Sequence, residues 1–122
     1  MNILLWVLQV LLSFFFLFNG VNHFFVPSDL PPQMAWMYDL SRELHLFSGT
    51  VEVLAGLGLI LPGITRIQTR LTWLAALGLV LVMVGAAVWH IPRNEFANVI
   101  GNIVFAGLAG FVAYGRWKLS PL

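Results

Sequence analysis

The sequence predicts an all-α membrane protein, a transmembrane four-helix bundle with short loops and one longer loop between helices 1 and 2. Three observations carry this. Of 122 residues, 60% are hydrophobic and only 9% charged, where a soluble domain carries about 25% charged residues. Mean hydropathy is +0.90, so the chain cannot cover its own surface with polar groups. Apolar runs long enough to cross a bilayer recur four times, separated by proline, glycine and the few charges. Backbone polar groups facing hydrocarbon must pair within their own segment, and four helices in a bundle are the simplest arrangement that allows it.

The first run, residues 3–25, is interrupted only by Gln9, Ser13, Asn19, Asn22 and His23. It exceeds the roughly 20 residues a spanning helix needs. No lysine or arginine precedes it and no small-x-small cleavage site follows, so it reads as a retained helix rather than a secretory signal. Residues 26–42 form the most polar stretch. Pro27, Pro31 and Pro32 forbid a continuous helix there, while Met34 to Leu40 can form a short interfacial turn with Trp36 and Tyr38 at headgroup level. The second span is expected at about 44–61, stopped by Pro62-Gly63. A short loop leads to a third span at about 71–89, ended near Pro92. Asn94 is the expected N-cap of the fourth span, 96–114, with Glu95 in its first turn. Gly115-Arg116-Trp117-Lys118 closes it. The whole chain, 1–122, reads as a single domain.

Charge placement sets an expected orientation. Arg66, Arg70, Arg116 and Lys118 fall on the side shared by both termini, with no acid; Arg42 and Arg93 share the opposite side with Asp29, Asp39, Glu43 and Glu95. Both termini are therefore expected in the cytoplasm, in a bacterial-type plasma membrane. A net charge of +1 without a basic run argues against nucleic acid. The absence of cysteine excludes disulfides, thiolate metal sites and cysteine nucleophiles. No phosphate loop, Ser-His-Asp order or dinucleotide fingerprint occurs.

The intramembrane polar residues collect in one layer. Glu52 lies eight residues beyond Leu44, about 12 Å into the second helix. Asn19, Asn22 and His23 share one face near the end of the first helix, His90 ends the third, and Asn98 and Asn102 share a face of the fourth. Asparagines in membrane helices often serve as interhelical glue worth about 0.6 kcal/mol each, and His45 reads as a boundary residue. A buried carboxylate is different, because it needs a partner or a proton. His23 and His90 are the expected partners of Glu52, in an arrangement able to relay a proton or hydrogen-bond a quinone carbonyl. The same two histidines could in principle be axial ligands of a haem, but no CxxCH attachment motif exists and too few ligands remain for zinc. Small residues on the second (Gly49, Ala55, Gly56), third (Gly78, Gly85) and fourth (Gly101, Ala106, Gly107, Gly110) helices are expected to permit close backbone approach.

Three stretches resemble the DoxX family: Phe18-Asn-Gly-Val-Asn-His-Phe-Phe-Val-Pro27 at the end of the first helix, Val51-Glu-Val-Leu-Ala-Gly-Leu-Gly-Leu-Ile-Leu-Pro-Gly63 in the second, and Leu81-Val-Met-Val-Gly-Ala-Ala-Val-Trp-His90 in the third. Residues 98–116 also fit. The family's first-helix motif usually ends in lysine, where this chain has His23, a group able to lose its charge. The resemblance implies a small four-helix membrane protein, some members being associated with quinone-linked sulfur oxidation or membrane redox complexes. The leading expectation is thus an accessory or quinone-interacting subunit with its pocket around Glu52, not an enzyme on its own, acting with a redox partner protein. The alternatives are a non-catalytic membrane scaffold or assembly factor, and a small-solute binder or transporter, which would require a homodimer or larger assembly.

Overall fold

The computed structural model describes all 122 residues and contains four long helices: α1 (Asn2–Phe24), α2 (Arg42–Thr65), α3 (Leu71–His90) and α4 (Phe96–Tyr114). All four are long and apolar enough to span a membrane. Their outward faces are studded with exposed Leu, Ile, Val and Phe, among them Leu11, Phe14, Leu54, Leu81 and Ile100. In water such a surface would be untenable; in hydrocarbon it is the matched one.

The interior is narrow. Leu5, Leu12 and Phe16 of α1 meet Ala55 and Leu59 of α2, Ala76, Leu79 and Met83 of α3, and Ala109 and Val112 of α4. Packing is pairwise: α1 lies along α2, α3 along α4, and α2 against α3, while α1 and α4 barely touch. Stacking of Phe15 on Phe105, with centroids 4.1 Å apart, spans that gap partway along the helices. Beyond it, toward the α1–α2 loop, the two pairs stand apart. We call this the loop end, and the opposite end, which carries both termini, the terminal end.

Three boundaries differ from those expected. Pro62 does not stop α2, which continues to Thr65. Proline lacks the N–H that would bond the carbonyl of Gly58, but the Thr72 hydroxyl of α3 donates to that carbonyl at 3.1 Å. A neighbouring helix satisfies the orphan, and α2 ends instead where Arg66 turns left-handed at φ 60°. Asn94 does not cap α4. It is left-handed at φ 59°, closing the short 3-10 turn Ile91–Arg93, and Glu95 holds the N-cap position without a side-chain cap bond. The Gly115–Leu119 segment continues α4 as a π-helical turn rather than terminating it.

The glycines also divide. On Gly49 an added Cβ would fall 2.9 Å from the Gly20 carbonyl oxygen and 3.0 Å from the His23 Cβ, so α1 and α2 approach there as closely as backbones allow. Gly78, Gly85, Gly101 and Gly107 have no neighbour within 4 Å of such an atom. Close approach is therefore not their role. Gly85 and Gly101 leave space, since both line the cavity described next.

Candidate functional site

Between the helix pairs at the loop end lies a cavity of about 680 Å³ lined by all four helices and by Met34 and Trp36 of the connecting loop. Its wall is largely aromatic and aliphatic, with Phe15, Phe18, Phe47, Trp36, Trp89 and Phe105 prominent. Phe18, Phe47 and Leu81 are among the lining residues and are strongly exposed on the bundle's outside, so the apolar wall opens toward hydrocarbon. Set into it are Asn19, His23, Ser48, Glu52, Asn98 and Asn102.

Glu52 is 1% exposed. One carboxylate oxygen accepts from Asn19 Nδ2 at 2.7 Å, and the other lies 3.0 Å from His23 Nε2. The close approach at Gly20 and Gly49 makes the second contact short: Gly49 lies against the His23 Cβ and Gly20 against Val53, the neighbour of Glu52. The chain of contacts continues. His23 Nδ1 is 2.8 Å from His45 Nδ1, and His45 Nε2 donates to the Met37 carbonyl at 2.7 Å. His45 is buried; a boundary residue in the sequence reading, it is a member of the central cluster. It sits seven residues before Glu52, on the same face of α2, and that spacing is the signal that could have found it.

His90 does not face Glu52. Its Nδ1 lies 2.9 Å from Glu95, and the Trp36 ring packs edge-on against it at 4.8 Å. Placed at the very end of α3, His90 is nearer the loop acid than the carboxylate a dozen ångströms deep. Trp36 therefore wedges into the helix ends, against His90 and Trp89; of the two residues expected at headgroup level, Tyr38 is the exposed one. His23 and His90, the two histidines weighed as haem ligands, are engaged with different partners: His23 with Glu52 and His45, and His90 with Glu95. No group of three or more metal-binding side chains is placed to hold an ion.

The four asparagines separate. Asn19 serves Glu52, and Asn98 Nδ2 reaches the Gln33 carbonyl at 3.3 Å. Asn22 is half-buried and lines no part of the cavity. Asn102 lines it, and its Nδ2 is buried without a hydrogen-bond partner. An unmade buried donor costs about 1–3 kcal/mol, so the position calls for an acceptor, whether water or a bound molecule.

The loop segment itself is a strap. Residues Pro32–Tyr38 form a 3-10 helix that crosses the loop end, held by His45 at Met37 and by an exterior clasp in which Arg93 bonds Asp39 at 2.6 Å and Glu95 at 2.7 Å. The Arg93 guanidinium, chiefly, holds the Glu95 carboxyl below the usual glutamate range, against an opposing effect of burial and with a lesser contribution from the His90 hydrogen bond.

Sequence reasoning missed a second buried polar cluster at the terminal end. Arg116 is 3% exposed and donates to Gln9 at 2.6 Å, Asn2 at 2.7 Å and the Ser120 carbonyl at 2.8 Å, while Gln9 Nε2 donates to the Leu59 carbonyl at 2.7 Å. Neutral acceptors alone satisfy this cation, which ties the two termini together.

A model of the DoxX-like family matches residues 7–112, which takes in most of α1 and α4, all of α2 and α3 and every residue of the cavity wall. The chain belongs to the DoxX-like family. No curated protein and no solved structure matches it. This DoxX-like chain is therefore an integral membrane protein, and its surroundings are a lipid bilayer.

Proposed function

We propose that this DoxX-like protein binds a lipid-soluble, carbonyl-bearing ring compound of the quinone class in the loop-end cavity, as the accessory subunit of a membrane redox process. The observation that carries the reading is the unpartnered Asn102 amide, in an aromatic cavity that also holds a buried carboxylate. A ligand that accepts a hydrogen bond at one point and meets Glu52 and Asn19 at another suits a ring with oxygen at both ends. The mostly apolar wall favours a ligand that partitions into membranes, and its openness toward hydrocarbon gives such a ligand a way in. The chain carries no prosthetic-group motif, so electrons reach or leave a bound quinone through a partner protein. The excess of basic residues at the terminal end supports cytoplasmic termini in a plasma membrane, with the cavity in the opposite leaflet.

The test is thermal unfolding of the purified protein in detergent with and without a short-chain ubiquinone. Saturating quinone is expected to raise the transition of the native chain, and Glu52→Ala and Asn102→Leu are expected to abolish the rise. Equal stabilisation of all three proteins, or none in the native chain, would refute the reading.

A further inference from the structure

The contacts of Glu52, His23 and His45 can be counted in protons. There are three: carboxylate to His23 Nε2 at 3.0 Å, His23 Nδ1 to His45 Nδ1 at 2.8 Å, and His45 Nε2 to the Met37 carbonyl at 2.7 Å. Each needs one hydrogen between its two atoms, since facing lone pairs repel at these distances. The carbonyl has none to give, so the last contact takes its hydrogen from His45. Two neutral imidazoles supply two hydrogens, one each. The third contact requires one more.

From this count we propose that Glu52, His23 and His45 form a single proton-binding site, and that its one proton latches the strap Pro32–Tyr38 over the loop end of the cavity. The extra proton satisfies the same three contacts in three positions: on Glu52, which then donates to His23; on His23, as imidazolium beside carboxylate; or on His45, as the outer imidazolium. It passes between them along bonds already formed, with no ring rotation. In every case the cluster is electrically neutral, which suits a site 1–8% exposed inside a membrane protein. Removal of the proton leaves one of the three contacts lone pair to lone pair. The contact to Met37 is the one able to open, because it joins the cluster to a loop segment and the other two join packed helices.

No other charge compensates the cluster. On α1 the adjacent group is neutral Asn19. On α2, Arg42 is exposed and shares a second pocket with His23 and His45, but Glu52 pairs with His23 and not with this cation. His90 of α3 is committed to Glu95, α4 offers only Asn98 and Asn102, and on the strap side Asp39 is paired with Arg93 while Tyr38 bonds the Pro27 carbonyl. The second pocket, about 530 Å³, is lined by His23, His45 and Met37, whereas the cavity is lined by His23 and Glu52, so the cluster borders both.

Glutamine at position 52 makes the proposal sharp. Its amide N–H supplies the third hydrogen permanently, and its oxygen still accepts from Asn19. Glu52→Gln is therefore expected to keep the latch closed at every pH. Amide hydrogen exchange of residues 36–40, corrected for the intrinsic pH dependence of exchange, would be followed between about pH 5 and 9 in the ligand-free protein. In the native chain, protection is expected to fall about tenfold across a single one-proton step, the loss of one hydrogen bond. Glu52→Gln is expected to show high protection and no step, and His45→Ala low protection throughout. A native chain with no step, or a Glu52→Gln protein that keeps one, would overturn the proposal. The measurement uses no quinone, so failure of the latch and failure of the ligand reading show up separately.

Discussion

Replacement of Asn102 by leucine should make the empty protein more stable and the functional protein worse. The Asn102 Nδ2 is buried with no acceptor, and a donor in that condition costs about 1–3 kcal/mol relative to one that is paired or absent. Leucine removes the amide, keeps the branched four-atom shape, and faces a wall shared with Phe105 and Met83. The expected gain is therefore about 1–3 kcal/mol in reversible unfolding, followed by denaturant titration in mixed micelles. Quinone should have the opposite effect on the comparison. A ligand at a hundredfold excess over its dissociation constant adds about 2.7 kcal/mol to a protein that binds it, and the leucine variant should forgo that increment. The order of stabilities thus closes or reverses on adding ligand. If Asn102→Leu is instead less stable when empty, the amide has a partner and the argument for a missing acceptor falls with it.

Other outcomes follow from single contacts. Gly49→Ala places a methyl 2.9 Å from the Gly20 carbonyl oxygen and should destabilise by about 1–3 kcal/mol, whereas Gly107→Ala, with open space at the same position, should be neutral or stabilising by up to about 1 kcal/mol; paired unfolding curves decide. Thr72→Val should cost about 1 kcal/mol by orphaning the Gly58 carbonyl, and most of that loss should return in the Pro62→Ala, Thr72→Val double variant, where an alanine N–H replaces the lost donor; additivity of the two single effects would contradict the assigned roles. Because the folded-state Glu95 carboxyl titrates below its ordinary 4.5, its contribution is whole above that value and is lost as pH falls through the folded value. Exchange protection of residues 91–95 should accordingly drop only in acid, and Glu95→Gln should erase that acid step.

What could be read from the residues in order was the solvent and the periodicity. Sixty per cent hydrophobic residues with four long apolar runs leave no choice but helices in a membrane, because hydrocarbon forbids unpaired backbone. Glu52 stood out for the same reason, as did His23 on the facing helix. Local rules failed where another helix intervened. Proline ordinarily ends a helix, yet Pro62 is tolerated because Thr72 of α3 takes over its orphaned carbonyl. Asn94 is a good N-cap by type, yet the 3-10 turn before it required a left-handed residue, and asparagine accepts that conformation at low cost.

By itself, then, the sequence determined the class of fold, the family and the place of the carboxylate within an apolar helix, since these depend on composition and on periodicity. Only the tertiary structure decided which histidine meets Glu52, because that depends on helix rotation and on where two backbones touch, at Gly20 and Gly49. The same holds for His45, drawn into the cluster by the strap carbonyl of Met37. It holds as well for Arg116, whose partners lie 107 and 114 residues away in the chain. Distances of that kind are written in no local pattern; they arise when four helices settle against one another.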